Sequence, residues 1–403
     1  MQTTTGLPQG QQLFEQVLLF GEDRTFYRHH GFSRSSIRIA WAYNKKYGKK
    51  TGNSTITQQL ARILYLSTAK SWRRKAEELV AALFLERRYS KHQILDLYMK
   101  NIYCGLPERG VYAAARGYFH KELADLSLQE MLTLVAILPN PDKNSPRIFP
   151  QDARKACEKM VYRLWFFGFV STEGARRFIC LHQDLRPQDV AEITQALAGD
   201  LGQSAAHLSL HLAPFALKLL PLTERKKTLM REYAVLHYGT ALTTIKPQAV
   251  VLHWTADGSW QSVYNYFLPA ENKKLKYGTL NVSSQFVVDR DGTILQLADA
   301  DYLCRHTRGY NWCAIGIENV GGVDGKEDLT TAQVEADVRL LQYLRLRYRD
   351  IRYVFGHYQQ EEAQQWGLYK ELVPGYTNHK LDPGPKFMQQ VKEKLQGWDL
   401  TFL

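Results

Sequence analysis

The sequence predicts a multidomain chain, all-α in its N-terminal part and α/β in its C-terminal part. Three observations carry this expectation. At 403 residues the chain exceeds what one typical core organises, so two or three domains are expected. Through about residue 180 the apolar residues recur at helical spacing. Near Thr240 the composition shifts, and short β-rich runs begin to alternate with helical ones. The expected divisions are 1–180, a helical connector over 181–230, and 231–403.

In the first part, residues 75–88 place Leu79, Ala82, Leu83 and Leu85 on one stripe, with Lys and Glu opposite. Ser90 is an N-cap for a helix over 91–100 that turns Ile94, Leu95 and Tyr98 inward. Residues 128–138 form an apolar helix closed by Pro139-Asn140-Pro141, and 154–170 form another. From 182 to 222 helical patterning persists, interrupted by Pro187, Pro214 and Pro221. Beyond it, residues 249–252 and 284–288 read as buried strands. Asp289-Arg290-Asp291-Gly292 turns the chain into a strand over 293–297. A further strand over 314–318 and an amphipathic helix over 331–348 complete the alternation. No internal repeat or low-complexity tract is present.

With 45% hydrophobic and 23% charged residues, the composition excludes a disordered chain. The net charge of +12 suits an acidic partner or simply a basic surface. Residues 24–50 hold eight Lys/Arg and no Asp or Glu, interleaved with aromatics. Such a segment can hold nucleic acid or lie on lipid headgroups. No nucleic-acid motif accompanies it, so the expectation is a membrane surface or a pyrophosphate-bearing substrate, not nucleic acid. The five cysteines lack paired spacing and read as buried thiols, although Cys304 and Cys313 are near enough to pair. Residues 1–10 lack the layout of a signal peptide, and no apolar run reaches the ~18 residues of a membrane span. A soluble or peripheral protein is expected, exported by some other route if it works outside the cytoplasm.

Glycosyl transfer needs a carboxylate to take the acceptor hydroxyl's proton and cations to stabilise the leaving group. Taken singly, Glu22 and Glu78 read as surface salt-bridge residues. Their context is an ordered series: Glu22-Asp23-Arg24 with Phe26 and His29, Gly52-Asn53-Ser54-Thr55-Ile56-Thr57-Gln58-Gln59, then Arg74-Lys75 and Glu78. Leu85-Glu86, Ser90-Lys91, Tyr98, Asn101, Gly105, Gly110, Ala113-Ala114-Ala115 and Tyr118-Phe119 extend it. From about residue 14 to 146 this resembles the peptidoglycan glycosyltransferase family, the transglycosylase module of bifunctional penicillin-binding proteins.

The resemblance implies a lysozyme-like helical fold acting on lipid II. It makes Glu22 the general base for the acceptor's 4-hydroxyl, and Glu78 with Lys75 and Arg74 the group that assists departure of the pyrophosphate. Ser54, Thr55, Gln58, Gln59 and Arg62 are implied to line the donor site, with Arg24 among the substrate-binding residues. A divalent cation such as Mg2+ is allowed for in this module. Asn53 and Arg62-Ile63 depart from the family's usual residues, and neither a membrane anchor nor a transpeptidase domain is read in this sequence. Peripheral membrane contact is therefore expected through residues 24–50.

A catalytic zinc needs three protein ligands and an open position. His253 ends an apolar strand, His357 follows another, and Asp382 opens Asp382-Pro383-Gly384-Pro385. A lone His at a strand end is more often a satisfied core residue. Here the pieces stand with Trp254-Thr255, Asn281-Val282-Ser283-Ser284, Ile315-Gly316-Ile317-Glu318-Asn319 and Lys380. Over about residues 232–391 they resemble the zinc-dependent N-acetylmuramoyl-L-alanine amidases, which include peptidoglycan recognition proteins. The resemblance implies a central mixed sheet, Zn2+ on His253, His357 and Asp382, Glu318 as proton acceptor and Lys380 as oxyanion stabiliser. His379, three residues before Asp382, is the competing ligand. Gln285 replaces a cleft-lining His, and Arg305 and His306 are expected to contact glycan or peptide.

Three readings follow. The chain is a bifunctional wall enzyme that polymerises lipid II and cleaves the amide between N-acetylmuramic acid and L-alanine. Alternatively it is a wall-degrading toxin or lysin whose first domain cleaves glycan or sequesters lipid II. In the third, one domain has lost catalysis and only targets peptidoglycan, which the intact acid and ligand sets oppose. The retained pyrophosphate set favours synthesis, at the cell envelope on the periplasmic or extracellular face.

Overall fold

The structure is a computed structural model that describes residues 8–32, 54–65, 72–200 and 215–403, with the backbone alone at 72–74 and 200. Most of the basic aromatic segment 24–50, Asn53 and the Arg74 side chain lie outside the described residues. The chain divides into two compact units, Met1–Phe178 with His182–His207, and Ile179–Leu181 with Leu208–Leu403.

The first unit is helical throughout its described residues. Helix Gln9–Glu22 buries Phe14, Val17 and Leu18 completely. Helices Ile56–Tyr65, Trp72–Arg88 and Lys91–Asn101 pack beside one another. Ser90 and Gln93 close a capping box, each satisfying the other's backbone N–H, as the Ser-x-x-Gln spacing dictates. Ser127 and Glu130 do the same for Leu128–Ile137. Helix Pro150–Phe166 starts at its proline, earlier than the expected residue 154. Pro187 likewise begins helix Pro187–Asp200 instead of interrupting one, because a proline at N1 has no N–H to lose. One expected stripe needs correction. In Trp72–Arg88 the buried line is Glu78, Ala82 and Leu85, and Leu83 faces out with Val80 and Phe84.

The second unit is built on a seven-stranded mixed sheet. Its strands are β1 (Ala216–Leu217), β2 (Ala249–Trp254), β3 (Phe286–Val288), β4 (Ile294–Gln296), β5 (Ala314–Asn319), β6 (Tyr353–Gly356) and β7 (Thr401–Phe402). Their order is β1-β4-β3-β5-β2-β6-β7, and β3 with β4 is the antiparallel pair. The β3–β4 turn needs Gly292, which sits at φ +83° where a Cβ would lie 2.7 Å from the Ala332 carbonyl oxygen. Central β2 is buried on both faces, which explains its unbroken Ala-Val-Val-Leu run. Helix Glu224–Tyr238, capped by Thr223, packs Leu229, Met230 and Tyr233 against Ile245, Leu280 and Leu303. Residue 230, where the connector was expected to end, therefore falls inside a helix of this unit. All five cysteines are buried free thiols. Among the described residues no helix is long and apolar enough to cross a membrane.

Helix Thr331–Arg347 lies over the sheet and carries a fully buried acid, Asp337. Asn319 donates to its Oδ2 at 2.9 Å, and its Oδ1 has no partner. Burial pushes the carboxyl up to about 7 against that hydrogen bond. A carboxyl raised from 3.8 in this way stabilises the fold below about pH 4, and the contribution is lost as pH rises toward 7. Asp337→Asn is therefore expected to raise stability above pH 7, by at most about 4 kcal/mol. Urea unfolding at pH 5 and pH 8 checks this, and an equal effect at both would overturn it.

Candidate functional site

In the first unit, helix Gln9–Glu22 ends on Glu22, where the negative end of the helix dipole disfavours a carboxylate. Burial is the main force pushing this carboxyl up, and Asp23 adds to it; the Gln59 hydrogen bond and the Arg163 and Arg62 charges oppose the rise. Gln59 donates from Nε2 to Glu22 at 2.8 Å and accepts the Tyr98 hydroxyl at 2.9 Å. The chain Tyr98–Gln59–Glu22 thus orients the acid from the buried side. Arg163 donates to the carbonyls of Phe20 at 2.9 Å and Gly21 at 3.0 Å, closing the last turn of the helix that bears Glu22. A cleft of about 200 Å³ beside Glu22 is lined by Asn140, Asn144, Lys159 and Arg163. None of these four was read from sequence as a site residue, and Arg163 had no local signal because it lies 142 residues from Gly21.

Glu78 is 1% exposed on the inner face of its helix. Lys75 donates to it at 2.8 Å and to the Ser54 hydroxyl at 2.8 Å, which gathers three expected site residues. Other expected residues are occupied within the protein. Thr55 and Gln58 form a reciprocal capping box that starts helix Ile56–Tyr65, at 3.2 Å in each direction. Thr55 also donates to the Gly31 carbonyl at 2.7 Å, and Asp23 accepts the Ile56 N–H at 3.1 Å. Both Thr55 and Gln58 are buried, so in this geometry they hold the loop instead of facing a ligand. Arg24 stacks its guanidinium over Phe167 at 4.0 Å and also lies over Phe20 and Phe169. Thr55→Ala is expected to cost about 1 kcal/mol of the first unit's stability, the value of an N-cap. The check is a denaturant midpoint, and an unchanged midpoint would sink the capping assignment.

In the second unit the site forms at the carboxyl ends of parallel strands, where open α/β sheets place ligands. His253 on β2 lies in register with Glu318 on β5, so both side chains leave the same face. β6 runs beside β2 and delivers His357 immediately after Gly356. Asp382 arrives from the loop ahead of helix Pro385–Lys394. The three ligand atoms converge: His253 Nδ1 lies 3.0 Å from His357 Nδ1 and 3.2 Å from Asp382 Oδ2, and His357 Nδ1 lies 3.1 Å from that oxygen.

Donors around a tetrahedral ion with ~2.0–2.1 Å bonds stand about 3.3 Å apart, so these spacings fit zinc. Two ring nitrogens and one carboxylate oxygen are also a donor set zinc accepts while keeping a position open. His379 is exposed and outside the group. Among the described residues this is the one such group of three, so the Mg2+ allowed for in the first module has no comparable cluster there.

Burial, and Asp382 beyond it, push Glu318 up to about 7 against the pull of His253 and Lys380. Burial acts to raise Asp382 too, but the His253 and His357 rings within 3.2 Å of its Oδ2 hold it well below the usual carboxylate range. A cleft of about 340 Å³ over these groups is lined by Trp254, Tyr266, Phe267, Val282 and Lys380 among others. Arg305 and His306 also line it, yet their polar atoms serve the protein. Arg305 donates to the carbonyls of Lys276, Gly278 and Leu280, and His306 Nδ1 lies 3.2 Å from His253 Nε2. Gln285 corrects the expectation of a cleft residue. It is fully buried, donates to the Tyr302 carbonyl at 2.8 Å and accepts the Gly316 N–H at 2.7 Å.

The transglycosylase family model matches residues 2–164, and the N-acetylmuramoyl-L-alanine amidase family model matches residues 243–385. Over 155 residues the chain is 36% identical to penicillin-binding protein 1F of Bacillus subtilis, covering 38% of this chain and 22% of that protein. Over 129 residues it is 40% identical to a biosynthetic peptidoglycan transglycosylase of Acinetobacter baumannii, covering 32% of this chain and 57% of that protein. The chain therefore spans little more than half the length of these relatives at most. Among solved structures, N-acetylmuramoyl-L-alanine amidase LysC from Clostridium intestinale is 21% identical, with 38% of this chain and 86% of that chain covered at a TM-score of 0.28. Apis mellifera PGRP-SA is 17% identical, with 40% and 89% covered at a TM-score of 0.27. Residues 2–164 are thus similar to the transglycosylase family, and residues 243–385 to the N-acetylmuramoyl-L-alanine amidase family.

Proposed function

We propose that the chain is a bifunctional peptidoglycan enzyme, polymerising glycan strands from lipid II in its first unit and cleaving the N-acetylmuramoyl–L-alanine amide in its second. The observation that carries the amidase half is the convergence of His253, His357 and Asp382 in the same cleft as Glu318 and Lys380. In glycosyl transfer, Glu22 takes the proton of the acceptor hydroxyl, and its raised pKa makes it a stronger base than an exposed carboxylate. Lys75, held between Ser54 and Glu78, supplies positive charge for the departing pyrophosphate. Gln59 and Tyr98 keep the Glu22 carboxylate aimed.

In amide hydrolysis, His253, His357 and Asp382 would hold zinc. Zinc bound there supplies Lewis acidity, polarising a carbonyl and acidifying water. Glu318, near 7, takes the proton of the attacking water and returns it to the departing amine of L-alanine. Lys380 stabilises the oxyanion. Support for membrane contact comes from the outward-facing Val80, Leu83 and Phe84 on one helix and Leu64 and Tyr65 on another. This contact would bring the first unit to a lipid-linked substrate at the outer face of the membrane.

The test incubates the full chain with lipid II and, separately, with purified sacculi, each with and without a chelator. Glycan polymer should form from lipid II, and stem peptides should leave sacculi only without chelator. Disaccharide release from sacculi with no polymer from lipid II would overturn synthesis. Peptide release that persists under chelation would overturn the metal assignment.

A further inference from the structure

We propose that His306, assisted by Thr307, is a positioning residue that fixes the proton of His253 on Nε2 and so turns the Nδ1 lone pair toward the metal position. The inference rests on the zinc reading of this site and adds what sets it up.

The argument is an accounting of donors and acceptors. His306 Nε2 lies 3.2 Å from the Ala314 carbonyl, an atom that can only accept, so Nε2 carries the hydrogen. In the neutral ring Nδ1 is then an acceptor. It faces His253 Nε2 at 3.2 Å and the Thr307 hydroxyl at 3.0 Å. With its proton on Nε2, His253 donates into this pair of acceptors, since Thr307 Oγ1 also lies 3.3 Å away. With its proton on Nδ1, His253 would donate to Asp382 Oδ2 at 3.2 Å, a place His357 Nδ1 can fill at 3.1 Å, but two ring lone pairs would then face each other at 3.2 Å and the Nδ1 lone pair would be lost to the metal.

Two further features show a built arrangement. Asn311 Oδ1 accepts the N–H groups of His306 at 3.0 Å and Thr307 at 2.8 Å, while its Nδ2 donates to the Tyr233 hydroxyl at 3.0 Å. Gly316 leaves room for the ring, because a Cβ there would lie 2.7 Å from His306 Cγ. His357 has no such partner: its Nε2 is buried without a hydrogen bond. The protein thus sets the tautomer of one ligand ring and leaves the other to the metal. Metal-ligating histidines commonly donate their second N–H to an oxygen acceptor, and an imidazole takes that part here.

The test uses the full chain. In the zinc-free protein labelled with 15N-histidine, His253 (assigned by its loss in His253→Ala) should show Nε2 protonated and Nδ1 bare. A proton on Nδ1 overturns the proposal whatever the metal does. Zinc affinity measured by chelator competition should fall on the order of 10- to 100-fold in His306→Leu. His306→Asn, which keeps an acceptor near the Nδ1 position but loses the Ala314 bond, should retain most of it. Unchanged affinity in His306→Leu, or equal losses in both variants, overturns the proposal. If the wild type takes up no zinc at all, the metal reading fails, and the NMR measurement still decides where the proton sits.

Discussion

Glu22→Gln is expected to abolish glycan polymerisation from lipid II, by a factor on the order of 10² to 10⁴, the range a positioned general base supplies. The substitution keeps the shape and the Gln59 contact of the side chain but cannot accept a proton at neutral pH. Amide release from sacculi should stay within about twofold of wild type, since that chemistry is assigned to groups of the other unit. The wild-type pH profile gives a second reading. Burial raises the Glu22 carboxyl above 4.5, so its base form is lost as pH falls through that raised value. Polymerisation should therefore decline on the acid side earlier than an exposed glutamate would dictate.

The sign for stability runs the other way. A carboxyl raised in the fold contributes stability below its unfolded pKa and loses that contribution as pH rises through the folded value. Glu22→Gln should thus be at least as stable as wild type at pH 8. Lost polymerisation together with a lowered melting temperature would instead make Glu22 a structural residue. Polymerisation that survives the substitution would remove Glu22 as the general base.

What could be read from the chain beforehand depended on how local the controlling interaction was. The strands carrying His253 and Glu318 declare themselves by unbroken apolar runs, and their register then brings the two side chains together. The capping boxes at Ser90 and Ser127 are three-residue signals. Thr55 and Gln58 carry the same signal, but a polar stretch between two acids invited a ligand-binding reading that hid it. The rest is set by tertiary approach. Nothing near Arg163 points to the end of the first helix, and nothing near Arg305 points to carbonyls at residues 276, 278 and 280. Gln285 aligned with a cleft position, yet its side chain runs into the sheet to bridge Tyr302 and Gly316. Polar side chains of this kind answer to the backbone groups that folding leaves unpaired, and those cannot be found from spacing.

Asp382→Asn is expected to give the largest loss in the second unit. Zinc content of the purified chain, counted by elemental analysis against the wild type, should fall well below one equivalent. Amide hydrolysis should drop on the order of 10²-fold or more. The carboxylate is the anionic member of the donor set. The His253 and His357 rings beside it overcome its burial and keep it ionised across the working pH range. Asparagine keeps the size and removes that charge, so the two rings would remain with Nδ1 atoms 3.0 Å apart and no anion to share. His357 adds to the case: burial first, then His253, push it down to about 4, so it offers a lone pair at neutral pH. Polymerisation of lipid II by the same preparation should be unchanged, which separates loss of the site from loss of the protein. Full zinc occupancy in Asp382→Asn would remove Asp382 from the ligand set. Full amide hydrolysis without zinc would remove the metal from the reaction.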